Sequence, residues 1–251
     1  MTTVLLVISV VGGMPREASA LIVNTRDSSS FQAAGITQYE GDAIPGSGAY
    51  SGYATTADIS NWTVGGGNLT IVNKTSPTEN WFGLTNDPFT WSTGYTIEAR
   101  FRVSEVNGSG PGIGAFNIGS GASVNDDTPL FGIRISADGL RNEPGGFTTV
   151  LYSGDMTQLH TVRVAVIGGA STAHLYVDGV QITDSVANAQ LYHLSRLLFG
   201  DDSSYNSGSL ETDYLRVDTT GAFAPVPVPE PTSMSLMCIG SIGYIVARRR
   251  K

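Results

Sequence analysis

Tyr95-Thr96-Ile97-Glu98-Ala99-Arg100-Phe101-Arg102-Val103 alternates without a fault. Its apolar members are Tyr95, Ile97, Ala99, Phe101 and Val103, with Glu98, Arg100 and Arg102 between them. Successive side chains of an extended chain point to opposite faces, so a period of two specifies a strand with one face in a core and one in water. His160-Thr161-Val162-Arg163-Val164-Ala165-Val166-Ile167 repeats the pattern. Gly168-Gly169 then turns the chain into Ala173 to Val177, and Asp178-Gly179 turns it back into Val180-Gln181-Ile182. Asp-Gly between alternating apolar runs is a hairpin signal, because the tight turn needs φ > 0 at both central residues.

Outward from these runs, further strands are expected at Leu69 to Val72, Trp81 to Leu84, Ile113 to Ile118, Leu130 to Ile135, Phe147 to Tyr152, Leu197 to Phe199 and Leu210 to Val217. Clusters of Gly, Asn, Asp and Ser separate them, and one such cluster, Asn125-Asp126-Asp127, reads as a solvated turn. No helical period occurs before the C-terminal tail and no internal repeat is present, so the fold class is all-β, an antiparallel jelly-roll sandwich.

The chain has 251 residues, 14 Lys+Arg against 22 Asp+Glu, and a formal net charge of −8. Four of the cations, Arg248, Arg249, Arg250 and Lys251, close the chain. From Leu21 to Pro229 there are 9 basic and 20 acidic residues, and 9 − 20 = −11. Phosphate-backbone binding needs a basic surface, so nucleic acid is excluded as a partner. The single cysteine, Cys238, lies in the apolar tail, so no intramolecular disulfide and no cysteine-rich zinc site can form. A domain of this size has core enough to manage without disulfides.

Both ends read as addresses. Val4 to Val11 is a short apolar run, and Ala18-Ser19-Ala20 is an A-x-A cleavage pattern, which makes 1–20 a secretory signal; no cation precedes the run, and a buried N-terminal strand is the competing reading. At the other end Val226-Pro227-Val228-Pro229-Glu230-Pro231 is a rigid spacer, Met234 to Ala247 is apolar apart from small Ser and Gly residues, and Arg248-Arg249-Arg250-Lys251 is a basic stop. That order specifies a short transmembrane helix with its cationic end in the cytoplasm and everything upstream outside.

This end resembles the PEP-CTERM sorting signal, with Pro229, Glu230 and Pro231 as its motif and Arg248, Arg249 and Arg250 as its basic end. The resemblance implies an exosortase, a membrane cysteine protease, as processing partner. It also implies an exported protein of a Gram-negative-type, exopolysaccharide-producing bacterium, held in the inner membrane before processing and then at the cell surface or in the extracellular matrix.

Three segments resemble the concanavalin-A-like, laminin-G-like jelly roll: Tyr95 to Val103, the hairpin His160 to Thr183 with Leu175-Tyr176-Val177-Asp178-Gly179-Val180, and Phe199-Gly200-Asp201-Asp202 through Asp213-Tyr214-Leu215-Arg216-Val217. The expected organisation is a signal at 1–20, an N-terminal extension with the first strands at 21–57, the laminin-G-like sandwich at 58–223, a Pro-rich linker at 224–233, and the helix with its basic stop at 234–251. Laminarinase-type hydrolases of that superfamily carry Glu-x-Asp-x-(x)-Glu on one strand. Here Glu211-Thr212-Asp213 is followed by Leu215 and Arg216 where the second glutamate would stand, so a retaining mechanism lacks one of its two carboxylates. The standard nucleophile-elbow, P-loop, zincin and EF-hand patterns are absent. His160, His174 and His193 read as ordinary surface or edge histidines.

Two kinds of binding residue remain. Glu211 and Asp213 share parity with Leu215 and Val217, so on a regular strand both carboxylates face inward and need partners. Those partners are loop N–H groups, an arginine such as Arg163, or a structural calcium ion held together with Asp201 or Asp202. Trp62, Trp81 and Trp91 are candidate sugar platforms, because a flat indole stacks on a pyranose face, and core packing is the competing role for each. The function expected is non-catalytic binding of carbohydrate, such as exopolysaccharide, or of another envelope component. A polysaccharide hydrolase or lyase and a purely structural matrix protein are the alternatives.

Overall fold

A computed structural model of the protein describes residues 24–55, 59–73, 80–84, 93–107, 116–123, 126–142, 149–168, 172–187, 196–201 and 207–227. The expected signal at 1–20 and helix at 234–251 lie outside the described residues, as do Trp91 and Asp202. Among the described residues no helix is long and apolar enough to cross a membrane.

In chain order the strands are β1 (Asn24–Thr25), β2 (Tyr53–Thr55), β3 (Trp62–Gly65), β4 (Asn68–Asn73), β5 (Asn80–Leu84), β6 (Gly94–Asn107), β7 (Phe116–Ser123) and β8 (Asp126–Ser136). They continue with β9 (Gly139–Asn142), β10 (Val150–Ser153), β11 (His160–Ile167), β12 (Thr172–Val177), β13 (Val180–Ala187), β14 (Arg196–Asp201), β15 (Ser207–Asp218) and β16 (Phe223–Ala224). A front sheet runs β13-β12-β11-β6-β15-β4-β3 and a back sheet runs β10-β9-β8-β7-β14-β5-β2; the short parallel pair β1-β16 ties the two ends of the domain together. Every pairing within the two large sheets is antiparallel.

The period of two decides which face is buried. Tyr95, Ile97, Ala99, Phe101 and Val103 of β6 point inward with Val162, Val164 and Val166 of β11 and meet Ile133, Ile135, Leu197, Phe199 and Phe82 of the back sheet. Phe82 and Phe101 both meet Phe199 edge to face, at 5.5 and 5.6 Å between centroids, the arrangement ring quadrupoles favour. Asp178-Gly179 forms the hairpin turn between β12 and β13 with φ of 50° and 82°, both left-handed as a primed two-residue turn requires.

Three differences from the sequence reading have physical causes. The cluster expected as a solvated turn is partly ladder: Asp126 and Asp127 open β8, and Asp126 pairs with Ser123. β3 and β9 were not expected, since segments of four residues are too short for alternation to register. The third difference is a bulge in β15. Thr212 pairs with Phe101 and Tyr214 with Arg100, leaving Asp213 as an extra residue. Beyond the bulge the parity of the strand is reversed, so Glu211 and Asp213 do not share a face with Leu215 and Val217.

Residues 32–40 run alongside the far half of β15. Leu215 exchanges backbone hydrogen bonds with Tyr39, at 2.9 and 3.0 Å, and Thr219 N–H donates to the Gln32 carbonyl at 3.1 Å. The N-terminal segment is therefore part of the domain, taking the place beside β15 that β4 leaves empty after Thr212.

Candidate functional site

The outer face of the front sheet carries a ladder of ion pairs. Glu211 is opposite Arg102 and accepts from it at 2.7 and 3.0 Å, while its other oxygen accepts from Asn68 at 3.2 Å. Asp213 accepts from Arg100 at 2.7 Å. Deeper in the same face, Arg163 Nε donates to Glu98 at 2.5 Å with both side chains only 3% exposed. Arg163 also donates to the Arg26 carbonyl at 2.8 Å and lies over the Phe31 ring. Tyr214 donates its hydroxyl to the second Glu98 oxygen at 2.9 Å, and Arg216 makes two bonds to Glu40 at 2.8 and 2.5 Å. Burial first and the Glu98 carboxylate second push the Tyr214 phenol up to about 12.

The N-terminal segment lies across this charged end, and Asp218, wholly buried, accepts from Arg26 at 2.5 Å and from the Gln32 N–H at 3.2 Å. Each of these acids has a base. Such a face stabilises a docked segment and has little to offer a ligand.

Two of the expected residues are corrected here. Glu211 and Asp213 face outward and pair with Arg102 and Arg100, while Arg163 belongs to Glu98. Their oxygens meet guanidinium groups, and among the described residues, which leave out Asp202, no three His, Cys, Asp or Glu cluster. Trp62 is no sugar platform either. It is buried, packs edge-on to Phe82 at 6.2 Å, and donates its indole N–H to Asn80 at 3.4 Å.

The outer face of the back sheet is built differently. Ile133 and Ile135 of β8 are core residues, so Arg134 between them points outward; by the same alternation Trp81, next to the core residue Phe82, points outward from β5. The ladder sets these side chains in one line. Val150 pairs with Arg141, Arg141 with Arg134, Arg134 with Asn117, Asn117 with Gly200, and Gly200 with Trp81. The neighbouring outward row is Gly132, Gly119, Leu198, Gly83 and Ala54, which contains one large side chain. Gly200 has φ +133°, and a Cβ there would stand 2.4 Å from the Asn80 carbonyl and 2.7 Å from the Trp81 Cα. Glycine there lets β14 lie close against the backbone that carries Trp81.

The arginines are the chemically active part of the line. Arg134 is buried, at 7% exposed, and stands directly opposite Arg141 across the ladder. Arg141 Nη2 donates to Asp138 at 3.0 Å, but its Nε–H is buried without a hydrogen-bond partner. An unsatisfied buried donor costs about 1–3 kcal/mol. Asp138 is held below the usual carboxylate range, chiefly by the Ser136 hydroxyl at 2.6 Å and secondarily by Arg141, so it stays ionised beside the pair.

Sequence reasoning singled out Trp81 but missed both arginines. The signal was present in the two-residue turn Ala137-Asp138: with Ser136 opposite Gly139, counting outward puts Arg134 opposite Arg141.

Solved structures share this architecture. A Trypanosoma rangeli sialidase in complex with 2,3-difluorosialic acid superposes with a TM-score of 0.55 at 14% identity, over 76% of this chain and 32% of that one. Another structure of that sialidase gives 0.54 at 15% identity over 80% and 34%. The binding domain of Paraclostridial Mosquitocidal Protein 1 gives 0.51 at 11% identity over 78% and 50%. The chain spans about a third of those sialidases, and at such identities the likeness shows a sandwich fold and nothing finer. No curated protein matches the chain in sequence. Residues 227–251 match the PEP-CTERM protein-sorting motif, which implies an exported chain handled by an exosortase, so behind its all-β ectodomain the protein carries the sorting signal of the PEP-CTERM proteins.

Proposed function

We propose that this is an exported surface or extracellular-matrix protein whose sandwich binds an envelope glycan without turning it over, through the outer face of the back sheet. The observation that carries the reading is the half-buried Trp81 on the outer face of a sheet whose neighbouring row is mostly glycine, attached to a chain with a sorting motif at 227–251. A flat indole is the side chain on which a sugar face stacks best. Two further points support it. The Glu211 and Asp213 carboxylates are engaged by arginines, which leaves neither poised as a general acid. One protein of similar fold is described as a binding domain.

The test uses the full chain produced in a host with and without its exosortase. With the enzyme, the ectodomain should reach the surface or the medium; without it, the chain should remain with the inner membrane. The surface form should sediment with the host's exopolysaccharide, and Trp81→Ala should reduce that binding at least tenfold. Release of new sugar ends from the polysaccharide by the wild-type protein, abolished in Asp213→Ala, would replace this reading with an enzymatic one.

A further inference from the structure

We propose that the β1–β16 pair is a clasp on the sorting motif: closed, it holds the motif close under the folded domain, and open, it lets the processing enzyme reach it. The proposal rests on the exosortase half of the reading above and is independent of what the sandwich binds.

Arg26 is the hub of the clasp. Its N–H donates to the Ala224 carbonyl at 3.0 Å, and its own carbonyl accepts from Arg163 at 2.8 Å. Its guanidinium donates to Asp218 at 2.5 Å and to the Thr220 hydroxyl at 2.9 Å, and lies 3.7 Å over the Phe223 ring. The ladder sets Asn24 beside Phe223 and Thr25 beside Ala224. On its other side β16 is held to β6, where the Thr96 hydroxyl donates to the Gly221 carbonyl at 2.9 Å and accepts from the Phe223 N–H at 2.8 Å. A ladder of two residues is too short to stand by itself, so these side chains decide whether the clasp is closed.

The clasp can open without breaking the front-sheet network. When Arg26 withdraws, the buried Asp218 still accepts from the Thr220 N–H and hydroxyl at 2.9 and 2.6 Å and from the Gln32 N–H at 3.2 Å. Arg163 likewise keeps Glu98. Neither group is left as a bare charge, which is the event that makes breaking a buried pair costly. Opening is therefore a local event at the two ends of the domain.

Chain length gives the clasp its consequence. The sorting motif begins at residue 227, just beyond β16, and Val226 is already 48% exposed. Five residues separate Ala224 from Pro229, so a closed clasp keeps the Pro-Glu-Pro stretch within ~18 Å of the domain. A domain of about 200 residues has a radius of gyration of ~16 Å, so its bulk overhangs a motif held that close. Freed back to Asp218, the last residue of β15, the chain gains six residues and the reach rises to at most ~40 Å, enough to clear the domain.

The experiment follows release of the full chain from the inner membrane by pulse-chase, in a host with its exosortase. One variant carries six Gly-Ser residues inserted between Val226 and Pro227, which lengthens the reach and leaves every contact of the clasp in place. The other is Arg26→Ala. Each should be released at least threefold faster than the wild type, and the two combined no faster than the insertion alone, because both act on the same distance. An insertion variant released at the wild-type rate would overturn the clasp, whatever Arg26→Ala does to folding. Multiplication of the two effects would also overturn it, since Arg26 would then act on something other than reach. In a host without the exosortase all three proteins should stay with the membrane. Release there would overturn the exosortase reading itself, whereas exosortase-dependent release at one common rate would overturn the clasp alone.

Discussion

The two sheets of this sandwich turn opposite kinds of face to the outside. On the front sheet the charges are matched: Glu98 with Arg163, Glu211 with Arg102, Asp213 with Arg100, Glu40 with Arg216 and Asp218 with Arg26. The N-terminal segment docks onto the deep end of that network. On the back sheet two cations are opposed, one buried donor is left over, and the neighbouring row is nearly bare. Matched buried charges act within the fold, whereas a buried donor left without a hydrogen bond costs the fold stability. The difference can be attacked from both sides.

The largest effect belongs to the matched face. Arg163→Ala strands Glu98 in a dry site and removes the bond to the Arg26 carbonyl and the packing on Phe31. A loss of about 3–5 kcal/mol is expected in chemical denaturation, because the remaining charge is buried without its counterion. The double variant Glu98→Leu/Arg163→Met should recover most of it, since two apolar side chains need no counterion. If the double variant is no better than the single, the pair is not the reason the N-terminal segment docks. A smaller loss, about 1–3 kcal/mol, is expected for Gly200→Ala on the back sheet, where a Cβ must displace the Asn80 carbonyl or the Trp81 backbone. That variant should weaken glycan binding as well, because the strand bearing Trp81 has to move.

How much of this contrast the sequence carried depends on what kind of information each feature needs. The alternation of Tyr95 to Val103 and of His160 to Ile167 was enough to specify strands and their buried faces, because burial is a property of one strand at a time. The Asp178-Gly179 turn was equally plain. The orientation of Glu211 and Asp213 was not, since a one-residue bulge at Asp213 leaves the apolar and polar residues alternating on either side of it while exchanging the faces. The Arg134–Arg141 pair is a property of two strands and a register. It was accessible only by taking Ala137-Asp138 as a tight turn and counting outward. Trp62 and Trp81 differ by which neighbour alternates into the core, and Phe82 decides that for Trp81.

High pH probes the matched face a second way. Tyr214 ionises near pH 10 in the unfolded chain, while in the folded protein its proton is held to about 12 by burial and by the Glu98 carboxylate; Tyr50 is likewise raised to about 12, by burial and then by its bond to Asp42. A raised folded value means the native state keeps a proton that the unfolded chain gives up. Its stabilising contribution is complete below pH 10 and is lost as pH climbs toward 12. A melting temperature that falls through that window, and less steeply in Tyr214→Phe, is the expected result. A slope unchanged in Tyr214→Phe would remove this residue from the account. Smaller again is the exposed rung: Arg102→Ala, with 43% of its side chain in solvent, should cost about 0.2–1 kcal/mol, and less in high salt.

The smallest change in stability, and the most telling, is expected at Arg141. Arg141→Met removes one bond to Asp138, whose carboxylate is 67% exposed and can turn to water and to the Ser136 hydroxyl. The same substitution eliminates the buried Nε donor that has no partner. The lost bond is an exposed one, worth about 0–1 kcal/mol, whereas burying an unsatisfied donor costs about 1–3 kcal/mol. The methionine variant should therefore be as stable as the wild type or more stable, by up to about 1 kcal/mol. A residue that lowers stability where it stands is retained for something other than the fold. Should Arg141→Met prove destabilising by 2 kcal/mol or more, on the scale of a structural ion pair, the back-sheet arginines would join the front-sheet network as architecture, and the contrast between the two faces would disappear.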